Sequence, residues 1–380
     1  MAGFWALQLA LFFFSSLPLF STASPGCSTV NFTVPIDVKP KPVSLPQLDL
    51  ENPELIRDTI NGLVGSAIDL LTVVPVKETY NIVSTYCEPE NPSDVLQILV
   101  HGGVYTRTYW SGLDLPADLD PQRYSWVDYA TKKGYATLAI DRLGNGDSTH
   151  PADGIIAASG YTNADVIHEI VTQIQAEGIQ GSKYKKIVGV GHSLGSVATH
   201  LAAARYPDVF DAMILSGFSA DFLDNAVKVF ATTGILPADI VNPIKWGRLP
   251  PAYVTFSNKP GLHGVFYGPS GHYDPAVADF DWDTRGTATL GDVIDLFSSL
   301  EPSLYPNPVQ IIIGEFDGLF CRGRSCGRGK HNTPGNTQSL YPNANFNYSI
   351  TDNTKHVLNY HFSAPQTFQA AHDFIKQNVG

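Results

Sequence analysis

The chain has 380 residues, of which 43% are hydrophobic and 16% are charged. This is the composition of a globular protein with a large core, and it excludes an intrinsically disordered chain. The formal net charge of -12 argues against nucleic acid and anionic membrane surfaces as partners. The length is compatible with one large domain or with two smaller ones.

The first residues predict export from the cell. An almost unbroken apolar run covers residues 4–20, and small residues follow it up to Ala23. This arrangement is typical of a secretory signal peptide that is cleaved near Ala23, although no Lys or Arg precedes Lys39. No later segment is long and apolar enough to cross a bilayer, so we expect no stable membrane insertion after cleavage. We predict an extracellular protein, with the vacuole or another lumen of the secretory pathway as the alternative.

Four cysteines are too few for a scaffold built on disulfides but enough for two pairs. Cys321 and Cys326 flank four residues and could close a small loop, which would leave Cys27 and Cys87 to link the N-terminal tail to an early strand. Other pairings remain open. A zinc site that adds His331 to Cys321 and Cys326 is disfavoured because the segment holds a single cysteine pair, so we predict no metal.

Two sequons for N-glycosylation, at Asn31 and Asn347, acquire meaning if the protein is exported. Both predict that the asparagine lies on the surface.

The hydrophobic pattern of the first half predicts strands that alternate with helices. Residues 25–50 are rich in proline and read as an extended arm, and the apolar spacing of residues 55–71 favours an amphipathic helix. Beyond them we predict two antiparallel strands at 72–78 and 80–86, buried strands at 94–100 and 136–140, helices at 124–133 and 163–178, a strand before residue 191, a helix at 196–205 and a strand at 210–215.

The second half begins with a less regular segment. Residues 221–306 are rich in Pro, Gly and aromatic residues and have helix-like patches at 226–233 and 290–300, so we predict an inserted cap. Strands at 309–313 and 345–350 and a closing helix at 361–378 follow. The predicted fold class is α/β, a mostly parallel sheet with helices on both faces. We divide the chain into a signal peptide (1–23), an N-terminal arm and helix (24–71), a first part of the core (72–220), the cap (221–306) and a second part of the core (307–380).

The strongest local signal is the pattern Gly191-x-Ser193-x-Gly195 between a buried strand and an alanine-rich helix. It matches a nucleophile elbow, in which a serine occupies a sharp strand-to-helix turn. Glycines tolerate the close approach of neighbouring elements and strained backbone angles. The alternative is an ordinary glycine-rich connection with an inert serine.

A nucleophilic serine needs a base, and the base needs a third group to orient it. Because such groups follow the carboxyl ends of strands, we predict Asp317 as the acid and His356 as the base. Glu315 and Asp221 are the second and third choices for the acid, whereas His361 is expected at or inside the last helix as a structural residue. The order Ser193, Asp317, His356 is the order expected for this architecture.

A tetrahedral intermediate also needs two N–H donors for its oxyanion. We predict Leu194, directly after the nucleophile, and Gly103 in the loop after the strand at 94–100, with Val104 as the alternative to Gly103. His101 is expected to anchor that loop, and His192 is given no catalytic role. No metalloprotease, phosphate-binding or dinucleotide-binding motif competes with this set.

Taken together, these residues resemble the α/β-hydrolase superfamily from about residue 72 to the C-terminus, with residues 221–306 outside the resemblance. The matching parts are His101-Gly102-Gly103, Asp141-Arg142-Leu143-Gly144-x-Gly146-x-Ser148, residues 191–195, Gly314-x-x-Asp317 and His356. The resemblance implies an eight-stranded, mostly parallel sheet, a Ser–Asp–His triad and no cofactor. The export signal, the sequons and the ending His356-x-x-Asn359-x-His361 are also similar to secreted fungal members.

Fold does not fix the substrate, so three functions remain. The first is a secreted serine esterase that forms an acyl-enzyme on a small-molecule ester or acyl substrate. The second is a biosynthetic hydrolase, thioesterase or carbon–carbon lyase with the same triad, and the third is a non-catalytic binding protein. The oligomeric state is not predicted.

Two further groups of residues are candidates for substrate binding. Aromatic residues of the cap are candidates to line a pocket, although packing of the cap on the sheet is the favoured role for most of them: Trp246, Tyr253, Phe256, Phe266, Tyr267 and Tyr273. A basic cluster after the acid loop is interpreted as a solvated loop rather than as a site for anionic substrates: Arg322, Arg324, Arg328 and Lys330.

Overall fold

The computed structural model describes residues 26–38, 75–221, 229–298, 301–321, 326–327 and 332–380. Three predictions fall outside these residues. They are the signal peptide, the helix at 55–71 and the basic cluster that includes Arg322 and Lys330.

An eight-stranded sheet forms the centre of the described structure. Its strands are β1 Gly26–Val38, β2 Val76–Glu88, β3 Val95–Val100, β4 Ala136–Ile140, β5 Lys186–His192, β6 Ala212–Ser216, β10 Val309–Gly314 and β11 Phe346–Thr351. Their order across the sheet is β1-β2-β4-β3-β5-β6-β10-β11. β1 and β2 pair in antiparallel register, as do β2 and β4, and the other neighbours are parallel.

The central strands are continuous apolar runs because both of their faces are covered. Every residue of β3, β4 and β10 is buried. Successive side chains of β3 alternate between two apolar clusters: Leu96, Ile98 and Val100 belong to one, and Val95 and Leu99 to the other. This is the period of two expected for a strand between two layers. The predicted α/β class with a mostly parallel sheet is therefore confirmed.

Helices cover the sheet and build the segment between β6 and β10. We call residues 229–298 the cap segment; it also contains an antiparallel sheet of β7 Ile235–Pro237, β8 Tyr253–Phe256 and β9 Ala288–Thr289. The α-helices with assigned bounds are α1 Trp126–Lys132, α2 Gly160–Glu177, α3 Leu194–Arg205, α4 Ala238–Val241, α5 Pro243–Trp246, α6 Lys259–Phe266, α7 Pro275–Thr284, α8 Leu290–Ser298, α9 Thr333–Asn336 and α10 Ala364–Asn378. Short 3-10 helices occupy Arg107–Trp110, Ala117–Leu119, Pro121–Tyr124, Thr337–Leu340 and Leu358–Tyr360.

The N-terminal part differs from the prediction in two respects. Residues 26–38 of the expected arm form strand β1, which pairs along its whole length with β2. The two strands predicted at 72–78 and 80–86 are wrong as a pair, because residues 76–88 form the single strand β2. No Gly, Pro or Asn separates residues 78 and 80 to make a turn. The prolines of residues 25–50 suggested an extended arm, yet Phe32, Val34 and Ile36 alternate along β1 and are buried.

The parallel strands bring their carboxyl ends to one edge of the sheet. The loops after β3, β5, β10 and β11 therefore meet there, as open α/β sheets place their ligand sites. The cap segment lies over this edge, since Phe230, Val254 and Phe256 line the same cavity as Ser193.

Candidate active site

Ser193 occupies a sharp turn between the end of β5 and the start of α3. Its backbone angles are φ 53° and ψ -120°, a conformation that costs of the order of 1–3 kcal/mol for a residue with a side chain. The turn is possible because its neighbours are glycines. A Cβ on Gly191 would lie 2.5 Å from the Cα of Ser196, and one on Gly195 would overlap the Val100 carbonyl.

The loop after β11 brings His356 to Ser193. The Nε2 atom of His356 lies 2.9 Å from the Ser193 Oγ, and its Nδ1 atom lies 2.9 Å from the Asp317 Oδ2. Because a carboxylate oxygen accepts, the ring proton is placed on Nδ1 and Nε2 is left to accept the serine proton. The structure thus joins the three predicted residues in one chain of hydrogen bonds.

The second oxygen of Asp317 fixes its own loop. Its Oδ1 accepts hydrogen bonds from the N–H groups of Leu319 and Phe320, both at 2.9 Å. The Phe320 ring in turn stacks on His356, with ring centres 5.7 Å apart. All three members of the chain are sheltered, at 7% exposure for Ser193 and 1% for both Asp317 and His356.

The loop after β10, which carries Asp317, and the loop after β11, which carries His356, are joined by backbone hydrogen bonds. The Phe316 N–H donates to the Thr354 carbonyl, and the Glu315 N–H donates to the Thr351 carbonyl, both at 2.9 Å. A Cβ on Gly314 would overlap the Lys355 carbonyl. Gly314 therefore lets the two loops approach closely enough for Asp317 to reach the histidine.

The alternative acids have other partners. The Glu315 carboxylate accepts a hydrogen bond from the Asn353 N–H at 3.1 Å, and the Asp221 carboxylate contacts the Asn336 amide at 3.4 Å. His361 lies before α10 rather than inside it, which corrects the predicted start of that helix. Its Nδ1 contacts the Val357 carbonyl at 2.9 Å, as expected of a histidine that is held in place.

His192 packs beside the site without joining the hydrogen-bonded chain. Its ring stacks on Tyr109 at 4.6 Å, and its Nδ1 lies 3.2 Å from the Ser216 Oγ. Burial, followed by the proximity of His356, lowers the pKa of His192 well below its ordinary value. A neutral His192 ring does not repel the positive charge that His356 acquires when it gains a proton.

The predicted oxyanion donors, Leu194 and Gly103, line the same cavity as Ser193. Leu194 is the first residue of α3, where backbone N–H groups lack partners within the helix. Gly103 packs so closely that an added Cβ would lie 2.7 Å from the Leu194 side chain. The Val104 N–H donates to the Thr287 carbonyl at 3.1 Å, whereas among the described residues no acceptor bonds the Gly103 N–H. This difference favours Gly103 over Val104.

An apolar cavity leads from Ser193 under the cap segment. Besides Ser193 and Thr255 its lining is apolar, with no charged side chain among the described residues: Gly103, Val104, Leu194, Phe230, Ile235, Val254, Phe256, Phe266, Ala288, Val293, Leu296 and Leu319. A group bound there gains hydrophobic free energy in proportion to the area that it buries.

The aromatic residues of the cap segment divide between lining and packing. Phe256 and Phe266 line the cavity. Tyr253 donates to the Pro151 carbonyl, Tyr267 donates to Asp281, and Trp246 packs against the cations of Lys245 and Arg285.

The described residues include no group of three or more His, Cys, Asp or Glu side chains that could hold a metal ion. None of the described helices combines the length and the apolar character that a bilayer span requires.

The cysteines and sequons are compatible with the predicted assignments. Cys27 and Cys87 are direct partners in the register of β1 and β2, and their sulfur atoms are bonded. Cys321 and Cys326 form the second pair and flank part of the loop after Asp317. Asn31 and Asn347 are exposed, on β1 and β11, the two edge strands of the large sheet.

Two residues without a predicted role pack against the loop after β3 that contains Gly103, which we call the Gly103 loop. Arg142 follows β4 and is fully buried, and it pairs with Asp292 of the cap segment. An arginine two residues after the end of an apolar strand is a signal that could have drawn attention to Arg142. Its partner is 150 residues away, so the pair had no sequence signal.

The chain matches a known protein family over most of its length. The family model described as "Alpha/beta hydrolase family" matches residues 97–361. The chain therefore belongs to the alpha/beta hydrolase family and is a hydrolase by family, as the resemblance implied. No curated protein sequence matches it significantly.

Solved structures share the fold at low sequence identity. An esterase from Exiguobacterium antarcticum is 13% identical, with a TM-score of 0.50 over 78% of this chain and 96% of that one. An esterase from Thermogutta terrifontis is 16% identical, with a TM-score of 0.48 over 79% of this chain and 95% of that one. An epoxide hydrolase from Vigna radiata is 14% identical, with a TM-score of 0.48 over 79% and 95%. At these identities the likeness extends to the fold alone.

Proposed function

We propose that the protein is a serine hydrolase that cleaves carboxylic esters through an acyl-enzyme. The observation that carries this proposal is the chain of hydrogen bonds from Ser193 through His356 to Asp317, at the mouth of an apolar cavity. Epoxide hydrolases of this fold carry an aspartate at the elbow, so the serine speaks against that reaction.

The geometry supports a two-step mechanism. Ser193 Oγ attacks the ester carbonyl while its proton passes to His356 Nε2, and Asp317 stabilises the imidazolium that forms. The negative oxygen of the tetrahedral intermediate accepts hydrogen bonds from the N–H groups of Leu194 and Gly103. The carbon–oxygen bond to the leaving alcohol then breaks as His356 returns the proton to that oxygen. A water molecule, activated by His356, hydrolyses the acyl-enzyme by the same steps.

The lining of the cavity supports a substrate with an apolar acyl or alcohol group. Burial of a charged group there would cost several kcal/mol without a partner, whereas each buried methylene contributes about 0.8 kcal/mol. The cap, proposed as an insertion at 221–306, supplies much of this lining through Phe230, Val293 and Leu296.

We also propose that the protein is exported and glycosylated. The signal-like N-terminus, two bonded cysteine pairs and two exposed sequon asparagines support this proposal. Disulfides persist in oxidising compartments, where sequons are also modified.

The test is the rate of hydrolysis of a series of p-nitrophenyl esters with acyl chains of increasing length. We expect kcat/KM to rise with chain length until the cavity is filled, and Ser193→Ala to lower kcat by several orders of magnitude. Ser339→Ala, which removes an exposed serine from a 3-10 helix, is the matched control and should leave the rates unchanged.

Thioesters of the same acyl groups distinguish the proposed esterase from the alternative function, a thioesterase with the same triad. A thioester preference over the oxygen ester, beyond their intrinsic reactivities, would reassign the protein as a thioesterase on the same triad. Near wild-type turnover by Ser193→Ala would contradict the mechanism. Folded protein that binds these esters without cleaving them would favour a binding function.

A further inference from the structure

Arg142 lies behind the Gly103 loop with its side chain fully buried. Its Nε donates to the His101 carbonyl at 3.0 Å, and its Nη2 lies 3.4 Å from the Gly102 carbonyl. One guanidinium group therefore contacts two successive carbonyls of the loop. The second of these belongs to the peptide unit whose N–H is that of Gly103.

His101 contacts the same Gly102 carbonyl. The backbone N–H of Arg142 can only donate, and its nitrogen lies 3.1 Å from the His101 Nε2. The ring proton is therefore on Nδ1, which lies 2.8 Å from the Gly102 carbonyl and donates to it. Burial and the charge of Arg142 lower the pKa of His101 well below its ordinary value, so the ring stays in this neutral form.

The charge of Arg142 is balanced from the cap segment. Its Nη1 donates to the Asp292 Oδ2 at 2.8 Å, and both side chains are almost completely buried. Asp292 lies in the first turn of α8. A buried charge that loses its partner is strongly destabilising, so the arginine depends on the docked position of α8.

A second contact ties the cap segment to the next peptide of the loop. The Val104 N–H donates to the Thr287 carbonyl at 3.1 Å, and the Gly286 N–H donates to the Val104 carbonyl at 2.7 Å. Arg142 and His101 thus hold the carbonyl of the Gly102–Gly103 peptide unit, and the cap segment holds the N–H of the peptide unit that follows.

We propose that Arg142 is a positioning residue that aims the Gly103 N–H at the reacting oxygen, and that Asp292 makes this alignment depend on docking of the cap. The proposal deepens the proposed function and rests on it. A trans peptide unit is planar, so donors that fix the Gly102 carbonyl also fix the Gly103 N–H on the opposite side. Hydrogen bonds to a peptide carbonyl also polarise the unit and strengthen its N–H as a donor.

The principal test variant replaces the ion pair by an apolar pair, Arg142→Met with Asp292→Val. Removal of both charges avoids the buried unpaired charge that either single change would leave, so the variant is expected to fold. The measurements are kcat and KM for an ester, and Ki for an alkyl boronic acid that becomes a tetrahedral anion on Ser193. Active-site titration corrects kcat for the active fraction, and Ki does not depend on that fraction.

Loss of a whole oxyanion donor costs about 100- to 1,000-fold in kcat. A misaligned donor should cost less, about 10- to 100-fold, with KM nearly unchanged and Ki for the boronic acid raised by a similar factor. Asp292→Asn, which keeps an oxygen but loses the charge, should show a smaller change in the same direction. Asp295→Asn is the matched control, because Asp295 lies on the same helix but bonds the N–H of Tyr161.

The outcomes separate this inference from the proposed function. A folded double variant with wild-type kcat and Ki overturns the role of Arg142, while the esterase activity stands. An effect in the double variant that Asp292→Asn does not share at all overturns the dependence on the cap. Wild-type protein that neither cleaves esters nor binds the boronic acid overturns both proposals, and it does so before any variant is compared.

Discussion

At the scale of single residues, the two carboxylate oxygens of Asp317 have different hydrogen-bond partners. Oδ1 accepts from the loop N–H groups of Leu319 and Phe320, and Oδ2 faces His356. An asparagine that keeps its oxygen on the loop would turn its NH₂ group toward the histidine. Both groups would then be donors, or the ring would adopt the tautomer with its proton on Nε2.

Asp317→Asn should therefore leave the fold intact and lower kcat by about 10,000-fold, the effect of the corresponding change in a serine protease triad. Steady-state kinetics with one ester and circular dichroism of the variant are sufficient. Glu315→Gln, in the same loop but bonded to Asn353, is the control and should keep most of the activity. Equal losses in the two variants would contradict the assigned acid.

Residues of the site were predictable where the chain order and the fold constrain them. The order Ser193, Asp317, His356 could be read because each residue follows a predicted strand whose carboxyl end reaches one edge of the sheet. The pair of Arg142 with Asp292 could not be read, since it joins two segments whose relative position depends on how the cap docks. Packing, rather than local pattern, decides such contacts.

At the scale of elements, the elbow depends on glycines for space rather than for flexibility. A Cβ on Gly195 would overlap backbone oxygens of Val100 and His101. Gly195→Ala should therefore destabilise the fold by several kcal/mol or prevent folding. Gly264, inside α6, has open space at its Cβ position, so Gly264→Ala should stabilise by about 0.5–1 kcal/mol. Urea unfolding compares the two, and equal stabilities would contradict the packing described for the elbow.

Helix α8 carries a second buried carboxylate, whose titration predicts a dependence of stability on pH. Burial, opposed by hydrogen bonds from backbone N–H groups and reinforced by Asp292, raises the pKa of Asp295 to about 7. A raised pKa in the folded state means that the contribution to stability is complete below the unfolded value, near 4, and is lost as the pH rises through 7. At most about 4 kcal/mol is involved.

Asp295→Asn removes this titration while it keeps an oxygen for the Tyr161 N–H. The free energy of unfolding of the variant relative to that of the wild type should increase from pH 5 to pH 7 and level off above the folded pKa, so the variant should be the more stable at pH 9. Urea unfolding at pH 5, 7 and 9 measures the difference, in which the titration of other groups cancels. A difference that does not change with pH would show that Asp295 keeps one protonation state throughout.

The elements themselves were predictable to different degrees. β4 was predicted at its observed bounds because a fully buried strand is a continuous apolar run with polar residues at its end. β1 was missed because the prolines of residues 25–50 suggested an arm, although β1 itself contains only Pro35, and because its pairing with β2 spans a large sequence separation. Edge strands tolerate proline, so composition is a poor guide there.

At the scale of the whole molecule, β1 is held to the sheet by its pairing with β2 and by the bond between Cys27 and Cys87. The cysteines are 60 residues apart in sequence. A crosslink of that span restricts the unfolded chain, and its loss should cost about 2–4 kcal/mol. Urea unfolding of the double variant Cys27→Ser, Cys87→Ser measures this cost. Stabilities that match those of the wild type under oxidising conditions would show that the bond does not form.

The molecule as a whole joins a predictable core to a less predictable cap. The core was predictable because its strands and helices alternate with clear hydrophobic patterns. The cap segment consists of short helices and short strands, whose hydrophobic patterns are weak. Its contacts with the core, through Thr287 and Asp292, are made at the site itself. The cap is therefore expected to determine which substrates enter, and the core which bond is broken.

The reaction of the purified protein with a fluorophosphonate, followed by peptide mass spectrometry, tests whether Ser193 is an activated nucleophile. Such a reagent modifies a serine that a base and an oxyanion hole activate together. We predict one modification per molecule, on the peptide that contains Ser193, and none on Ser193→Ala. Folded wild-type protein that remains unmodified, or a modification located on another serine, would contradict the assignment of Ser193 as the nucleophile.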